Sequence, residues 1–364
     1  MNITGWVERL IRPEIRALHA YHVQPAADMI KLDAMENPYG WTPEMQMAWV
    51  ERLRGQCFNR YPDPSASKLR ELLTQRLDLA DNQQIVFGNG SDELIQLIIM
   101  AMANAGAKVM APAPTFVMYD MIARFVGLDY VGVPLNADFT LNLPAFLQAM
   151  QQHQPAVVFL AYPNNPTGNA FAREEVEQII KQAPGLVVVD EAYNAFADDS
   201  FLADIARYPN LIVMRTFSKV GLAAFRLGYM VGDQAWMSEF DKVRLPYNIN
   251  VLTQMGVAFA LEFEDVLAGQ AAQIKADRET LAAQLAEFVG VQVYPSQANF
   301  ITIRLAPGLA TRIFEGLKAD GILIKNLSSA GGLLADCLRI TIGAPNENQA
   351  FLKSFASHLQ ANAS

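Results

Sequence analysis

The sequence predicts an α/β fold: a large domain on a mainly parallel seven-stranded sheet, followed by a smaller α+β C-terminal domain. Three observations carry the prediction. Seven short apolar runs rich in β-branched residues lie at 85–87, 108–110, 130–133, 156–160, 186–189, 211–214 and 229–231. Helix-like stretches such as 94–103 and 173–182 alternate with them. Continuous apolar runs of this kind belong to strands buried on both faces, as in parallel sheets covered by helices. After about residue 250 the alternation stops. A long helical stretch over 253–288, interrupted near Glu264-Asp265, leads to strands over 299–305, 322–325 and 337–342 and a closing helix over 347–360. The expected division is an N-terminal arm at 1–36 joining the small domain, a large domain at 37–255 and a small domain at 256–364.

Composition narrows the class. The chain has 364 residues, 52% of them hydrophobic, which is length enough for two domains with a sizeable core and too apolar for disorder. Its 28 Lys+Arg against 37 Asp+Glu, a net charge of −9, argue against a nucleic-acid partner. Two cysteines, Cys57 and Cys337, make neither a disulfide framework nor a thiolate metal site. The four histidines are scattered and His19-x-x-His22 has no further ligands near it, so no metal is expected. The richest apolar window, 94–107, is broken by Gln96, Asn104 and Gly106 and falls short of the roughly 18 uninterrupted residues of a membrane span. The first nine residues lack a basic segment followed by an apolar one, so a cytoplasmic location is expected.

In an open parallel sheet, ligands bind beyond the carboxyl ends of the strands, so the residues following each run carry the chemistry. After 85–87 comes Gly88-Asn89-Gly90-Ser91-Asp92-Glu93 and then a helix. The glycines permit a tight backbone, Ser91 can cap the helix, and free N–H groups there would hold a phosphate. Alone, this is more often an ordinary capped turn. As a dinucleotide fingerprint it is weaker still, because Glu93 stands in place of the third glycine. After 156–160 comes Ala161-Tyr162-Pro163-Asn164-Asn165-Pro166-Thr167-Gly168, a rigid turn in which Asn165 is a well-fixed donor. After 186–189 comes Asp190-Glu191-Ala192-Tyr193. A carboxylate ending an apolar strand either caps the next helix or meets a cation or a strong donor, since burying it alone is expensive. After 211–214 comes Arg215-Thr216-Phe217-Ser218-Lys219, and Arg226 follows seven residues later. A lysine at the mouth of a buried strand can lose its proton by desolvation and attack carbonyls, though singly it is more often a snorkelling surface residue.

Together these parts specify one cofactor. A phosphate cradle, a carboxylate, an asparagine, a tyrosine and a lysine at the strand ends of one sheet are what pyridoxal 5′-phosphate requires: an amine for its aldehyde, an acid for its ring nitrogen, and donors for its phenolic oxygen.

The order Asn165-Pro166-Thr167-Gly168, Asp190-Glu191-Ala192-Tyr193 and Ser218-Lys219 resembles the fold-type I pyridoxal-phosphate aminotransferases, of class I/II. The segments Arg60-Tyr61-Pro62-Asp63-Pro64, Gly88-Asn89-Gly90-Ser91-Asp92-Glu93 and Ala113-Pro114-Thr115-Phe116-Val117-Met118-Tyr119 are most similar to the histidinol-phosphate aminotransferase group. The resemblance covers nearly the whole chain, from Glu36-Asn37-Pro38-Tyr39-Gly40 to Leu338-Arg339-Ile340-Thr341-Ile342-Gly343. It implies Lys219 as the Schiff-base lysine, Asp190 as the partner of the pyridine nitrogen, and Asn165 and Tyr193 on the phenolic oxygen. Phe116 would stack on the ring. The phosphate would sit on Gly90, Ser91, Asp92, Ser218 and Arg226, with Tyr61 lent across a homodimer interface to the neighbour's phosphate. Arg339 would bind the substrate carboxylate, a task suited to a planar bidentate donor, with Tyr21, Asn165 and Lys325 also around the substrate.

The implied reaction is transamination between histidinol phosphate and 2-oxoglutarate, giving imidazole-acetol phosphate and glutamate. Aromatic amino-acid aminotransferases and threonine-phosphate decarboxylases share the same motifs. A ligand sensor on this fold would carry an extra DNA-binding domain, and a nicotinamide-dependent dehydrogenase is weakened by the missing glycine. Three departures from the family pattern stand out: seven residues rather than eight between Lys219 and Arg226, Lys325 where several relatives carry arginine, and Met35 where relatives often have asparagine.

Overall fold

A computed structural model describes residues 3–18, 20 and 24–362. Its strands, in chain order, are β1 (Ile30–Lys31), β2 (Gln83–Asn89), β3 (Lys108–Ala113), β4 (Asp129–Pro134), β5 (Val157–Ala161), β6 (Leu186–Asp190), β7 (Leu211–Thr216), β8 (Leu227–Asp233), β9 (Gln292–Val293), β10 (Phe300–Arg304), β11 (Ile322–Leu323), β12 (Lys325–Asn326) and β13 (Cys337–Thr341). All seven apolar runs fall in one seven-stranded sheet of order β2-β8-β7-β6-β5-β3-β4. Only β8 runs against its neighbours.

Alternate residues of each strand bury on opposite faces of this sheet, the expected consequence of the two-residue period. Phe87, Val158, Val187, Val213 and Val231 share one core cluster, and Val86, Val157, Val188, Ile212 and Met230 share the other. The helices Ser91–Ala101, Met118–Val126 and Gln234–Asp241 contribute to the second of these clusters. The helices Ser67–Arg76, Leu143–His153 and Arg173–Gln182 contribute to the first. With both faces covered, only the strand ends remain for binding a ligand.

The C-terminal part packs around a third cluster, built on Phe300, Ile303, Leu338 and Ile340 and on the helices Leu309–Ala319 and Pro345–Ala361. The long helical stretch is two helices, Val251–Leu261 and Glu264–Ala286, broken where the sequence pattern breaks. The strand expected over 322–325 is in fact two. Ile322 and Leu323 pair in parallel with Ile30 and Lys31, whereas Lys325 and Asn326 pair antiparallel with Arg339 and Leu338. The chain changes sheets at Ile324, a handover that local pattern does not reveal. The N-terminal segment has different neighbours at its two ends: Arg12 donates to the carbonyl of Phe125, while Leu32 is buried in the C-terminal cluster. Among the described residues no helix is long and apolar enough to cross a membrane.

Candidate active site

One cavity opens at the carboxyl edge of the large sheet. Its lining includes Met35, Ser91, Asp92, Phe116, Asn165, Asp190, Tyr193, Ser218, Lys219 and Arg226. Most come from the ends of different strands: Ser91 and Asp92 follow β2, Phe116 β3, Asn165 β5, Ser218 and Lys219 β7, and Asp190 ends β6. Parallel strands put these ends side by side, which is why residues about 130 positions apart meet. Arg226 arrives by another route. It immediately precedes β8, and the reversal of that strand places its amino end at the same edge, with Leu227 opposite Asn89.

Asp190 is 3% exposed. Its Oδ2 accepts from the Tyr119 hydroxyl at 2.7 Å and its Oδ1 from the Ala192 amide at 3.1 Å. One oxygen caps the following turn and the other meets a strong donor, the Tyr119 hydroxyl, in place of a cation. No cation pairs with the carboxyl among the described residues, and burial pushes it up to about 6 against the pull of Tyr119 and Ala192. Tyr193 accepts from Asn165 Nδ2 at 3.1 Å. Burial raises its phenol above the ordinary range, so it remains an O–H whose proton is available to an acceptor in the cavity. Lys219 is partly buried, with Nζ 5.8 Å from the centre of the Tyr193 ring and 3.3 Å from the Ala34 carbonyl. Burial first, and then the positive field of Arg339, draws its amine down to about 8.

The cradle departs from expectation in one detail. Ser91 does not cap the helix: Gly90, at φ +79, occupies the cap and Ser91 is the first helical residue. The Ser91 and Asp92 amides therefore point outward from a helix start, where partial positive charge gathers. A Cβ on Gly90 would lie 2.8 Å from Arg226 Nη2, and one on Gly228 2.7 Å from the Gly90 carbonyl carbon, so both glycines are needed for the cradle to close. Arg226 sits 3.5 Å from the Ser218 hydroxyl and 3.9 Å from Asp92. The short link from Lys219 is accommodated by two 3₁₀ turns, Ser218–Val220 and Ala223–Phe225, each followed by a left-handed residue, Gly221 and Arg226.

Beside this cavity lies a second, lined among others by Asp33, Met35, Lys325, Ser329 and Arg339. Arg339 is 8% exposed and bridges the two: its Nη1 donates to Asn165 Oδ1 at 2.5 Å and its Nη2 to the Asp33 carbonyl at 2.9 Å. Lys325 and Arg339 are direct partners on adjacent strands. Two cations so placed repel one another, and an anion between them relieves the repulsion. Met35 lies at φ 53, held by Thr341 Oγ1 and Asn299 Nδ2. Asparagine adopts such a left-handed backbone more readily than methionine does.

Among the described residues, Tyr61 lines neither cavity. Tyr61 is 79% exposed and stacks on Tyr247 with ring centres 4.4 Å apart. Tyr21 lies outside the described residues. Tyr119, conversely, escaped the sequence reading. It stands three residues after Phe116, with ring centres 5.6 Å apart, and its hydroxyl reaches Asp190 from behind the cavity.

The donor set fits pyridoxal phosphate. A buried acid without a cation matches a ring N–H, a phenolic proton matches an anionic oxygen, and amides with no acceptor among the described residues, beside a guanidinium, match a phosphate. Replacing Tyr119 by phenylalanine removes one hydrogen bond to a charged acceptor. It is expected to weaken pyridoxal phosphate binding about tenfold, measured by titrating apoprotein. An unchanged dissociation constant would mean that Tyr119 does not orient Asp190.

Comparison with known proteins agrees. The family described as aminotransferase class I and II matches residues 27–355. A protein of Nitrosococcus oceani named histidinol-phosphate aminotransferase 2 is 55% identical over 348 residues, covering 96% of this chain and 97% of its own. The histidinol-phosphate aminotransferase of Chromobacterium violaceum is 52% identical over 348 residues, covering 96% and 97%. Among solved structures, histidinol-phosphate aminotransferase from Sinorhizobium meliloti, in complex with pyridoxal-5′-phosphate, has a TM-score of 0.86 at 27% identity, covering 97% of this chain and 98% of that one.

Proposed function

The chain belongs to the class I and II aminotransferases, enzymes of pyridoxal phosphate, and from that premise we propose that it transfers the amino group of histidinol phosphate to 2-oxoglutarate in histidine biosynthesis. The observation that carries the reading is the single cavity shared by Lys219, Asp190, Asn165 and Tyr193. The names of the two relatives at more than 50% identity, and the paired cations Lys325 and Arg339, support a phosphorylated substrate.

When bound, pyridoxal phosphate supplies an aldehyde that condenses with amines and a cationic ring that draws electrons from the neighbouring carbon. The chain's own residues do the rest. Lys219 Nζ would hold the aldehyde carbon and, once displaced by the substrate amine, carry a proton to and from the amine-bearing carbon as general base and acid. Its depressed basicity keeps part of it neutral near pH 8. Asp190 would hold the ring N–H, and that cation would draw its raised pKa back down. Asn165 and Tyr193 would donate to the phenolic oxygen, and Phe116 would cover the ring. The Ser91 and Asp92 amides at the Gly90 turn, with Ser218 and Arg226, would hold the phosphate. Arg339 would serve the carboxylate of glutamate and, with Lys325 as a point charge, the substrate phosphate.

We read the working unit as a cytoplasmic homodimer that shares its sites. Supporting the dimer are apolar side chains left exposed on one chain: Ile3, Trp6 and Leu10 on the helix Ile3–Leu10, and Phe58, Tyr61, Leu245 and Tyr247 around the stacked tyrosines.

The substrate is tested by mixing the loaded enzyme separately with histidinol phosphate, phenylalanine and phosphothreonine and following cofactor absorbance. Conversion to the amine form is expected with histidinol phosphate at an efficiency at least a hundredfold above the other two. Conversion by phenylalanine alone, or carbon dioxide release from phosphothreonine, would overturn the substrate.

A further inference from the structure

Glu93 is partly buried at the third position of the helix that opens at the cradle, where its carboxylate reaches back. Its Oε2 accepts from the Asn89 amide at 2.6 Å, from Asn248 Nδ2 at 2.9 Å and from Asn89 Nδ2 at 3.3 Å. The knot is reciprocal: Asn89 Nδ2 donates to the Asn248 carbonyl at 2.7 Å, and Asn248 Nδ2 to the Phe87 carbonyl at 3.2 Å. Arg244 extends it, donating to Asn248 Oδ1 at 2.9 Å and to the Pro64 carbonyl at 3.3 Å. One carboxylate thus joins the last residue of β2 to a segment more than 150 positions away, whose Tyr247 stacks on Tyr61.

We propose that Glu93 is a positioning residue for the phosphate of the cofactor, acting through Asn89. The acid, from the first turn of the helix, takes the Asn89 amide that precedes the Gly90 turn and so clamps the end of β2 to the helix start across that turn. The Ser91 and Asp92 amides, which have no protein acceptor among the described residues, are thereby held outward toward a phosphate. Three donors converge on one oxygen, a task for an ionised acceptor rather than a neutral amide. This explains why an acid occupies the place where a dinucleotide site would have its third glycine. The inference rests on the reading of those two amides as phosphate donors.

The test compares pyridoxal 5′-phosphate with pyridoxal, which lacks the phosphate, by absorbance titration of apoprotein, with thermal unfolding alongside. Wild type is expected to prefer the phosphorylated form strongly. Glu93→Ala should lose about ten- to a hundredfold in affinity for pyridoxal phosphate, the loss of one charge-assisted hydrogen bond, and less than twofold for pyridoxal. Glu93→Gln, which keeps the shape and one acceptor, should fall between, and it carries the test if the alanine variant does not fold. A parallel loss for both ligands would make Glu93 merely structural and overturn the proposal. An unchanged preference in both variants overturns it as well. A wild type indifferent to the phosphate would instead sink the underlying assignment of the cradle, and the proposal with it.

Discussion

Substituting alanine for Lys219 is expected to abolish transamination, lowering kcat by roughly five to six orders of magnitude, as removal of a nucleophile that also handles the proton does elsewhere. Among the described residues, no other amine lines the cavity to take its place. Lys219→Arg should keep the fold and the melting temperature, yet it forms no covalent link, because a guanidinium stays protonated at any pH the protein survives. Borohydride treatment followed by peptide mass analysis separates the cases: wild type gains the pyridoxyl mass on the peptide holding residue 219, and both variants gain nothing. The same group sets a pH dependence. Only the unprotonated amine attacks, and burial together with Arg339 places its pKa at about 8. The rate at which apoprotein captures pyridoxal phosphate should therefore rise about tenfold per pH unit below that value and level off above it. Full turnover by Lys219→Ala without added amines, or a capture rate flat from pH 6 to 9, would refute the assignment.

Replacing the neighbouring Glu191 by alanine is expected to damage stability instead of chemistry. Asp190 lines the cavity, whereas Glu191 is fully buried away from it, with Arg215 Nη2 at 2.8 Å and Nε at 2.9 Å. Ser200 Oγ donates to the same carboxylate at 2.9 Å and the Phe201 amide at 2.5 Å. Removing the acid leaves the buried Arg215 cation without this counter-ion, facing the neutral Ser200 hydroxyl at 2.8 Å, at a cost of about 3–5 kcal/mol. The urea midpoint should drop accordingly. A Glu191→Ala/Arg215→Met double variant should recover most of the loss, because deleting both charges removes the uncompensated one. If Glu191→Ala unfolds at the wild-type midpoint, the pair carries no such weight.

The strands were legible because burial on both faces demands apolar β-branched runs, a local property. The site residues were legible because a parallel sheet delivers the residue after each strand to one edge, so Asn165, Asp190 and Lys219 could be placed together before any distance was known. Partnerships were not legible. Nothing near Tyr119 announces that its hydroxyl meets Asp190, and nothing near Glu93 points to Asn248. Ser91 looked like a cap because serine caps helices well, but a left-handed Gly90 brought the chain round one residue earlier.

What the sequence by itself determined is the kind of chemistry at each strand end, since residue type and order are local and the sheet's geometry is general. The tertiary structure alone decided the reversal of β8 that returns Arg226 to the cradle, the pairing of Ile30–Lys31 with Ile322–Leu323, the register that sets Lys325 beside Arg339, and the stack of Tyr61 on Tyr247. Each of these joins segments whose local patterns are compatible with several neighbours. The choice among them falls to packing and to the requirement that buried polar groups find partners, conditions met only when the whole chain is folded.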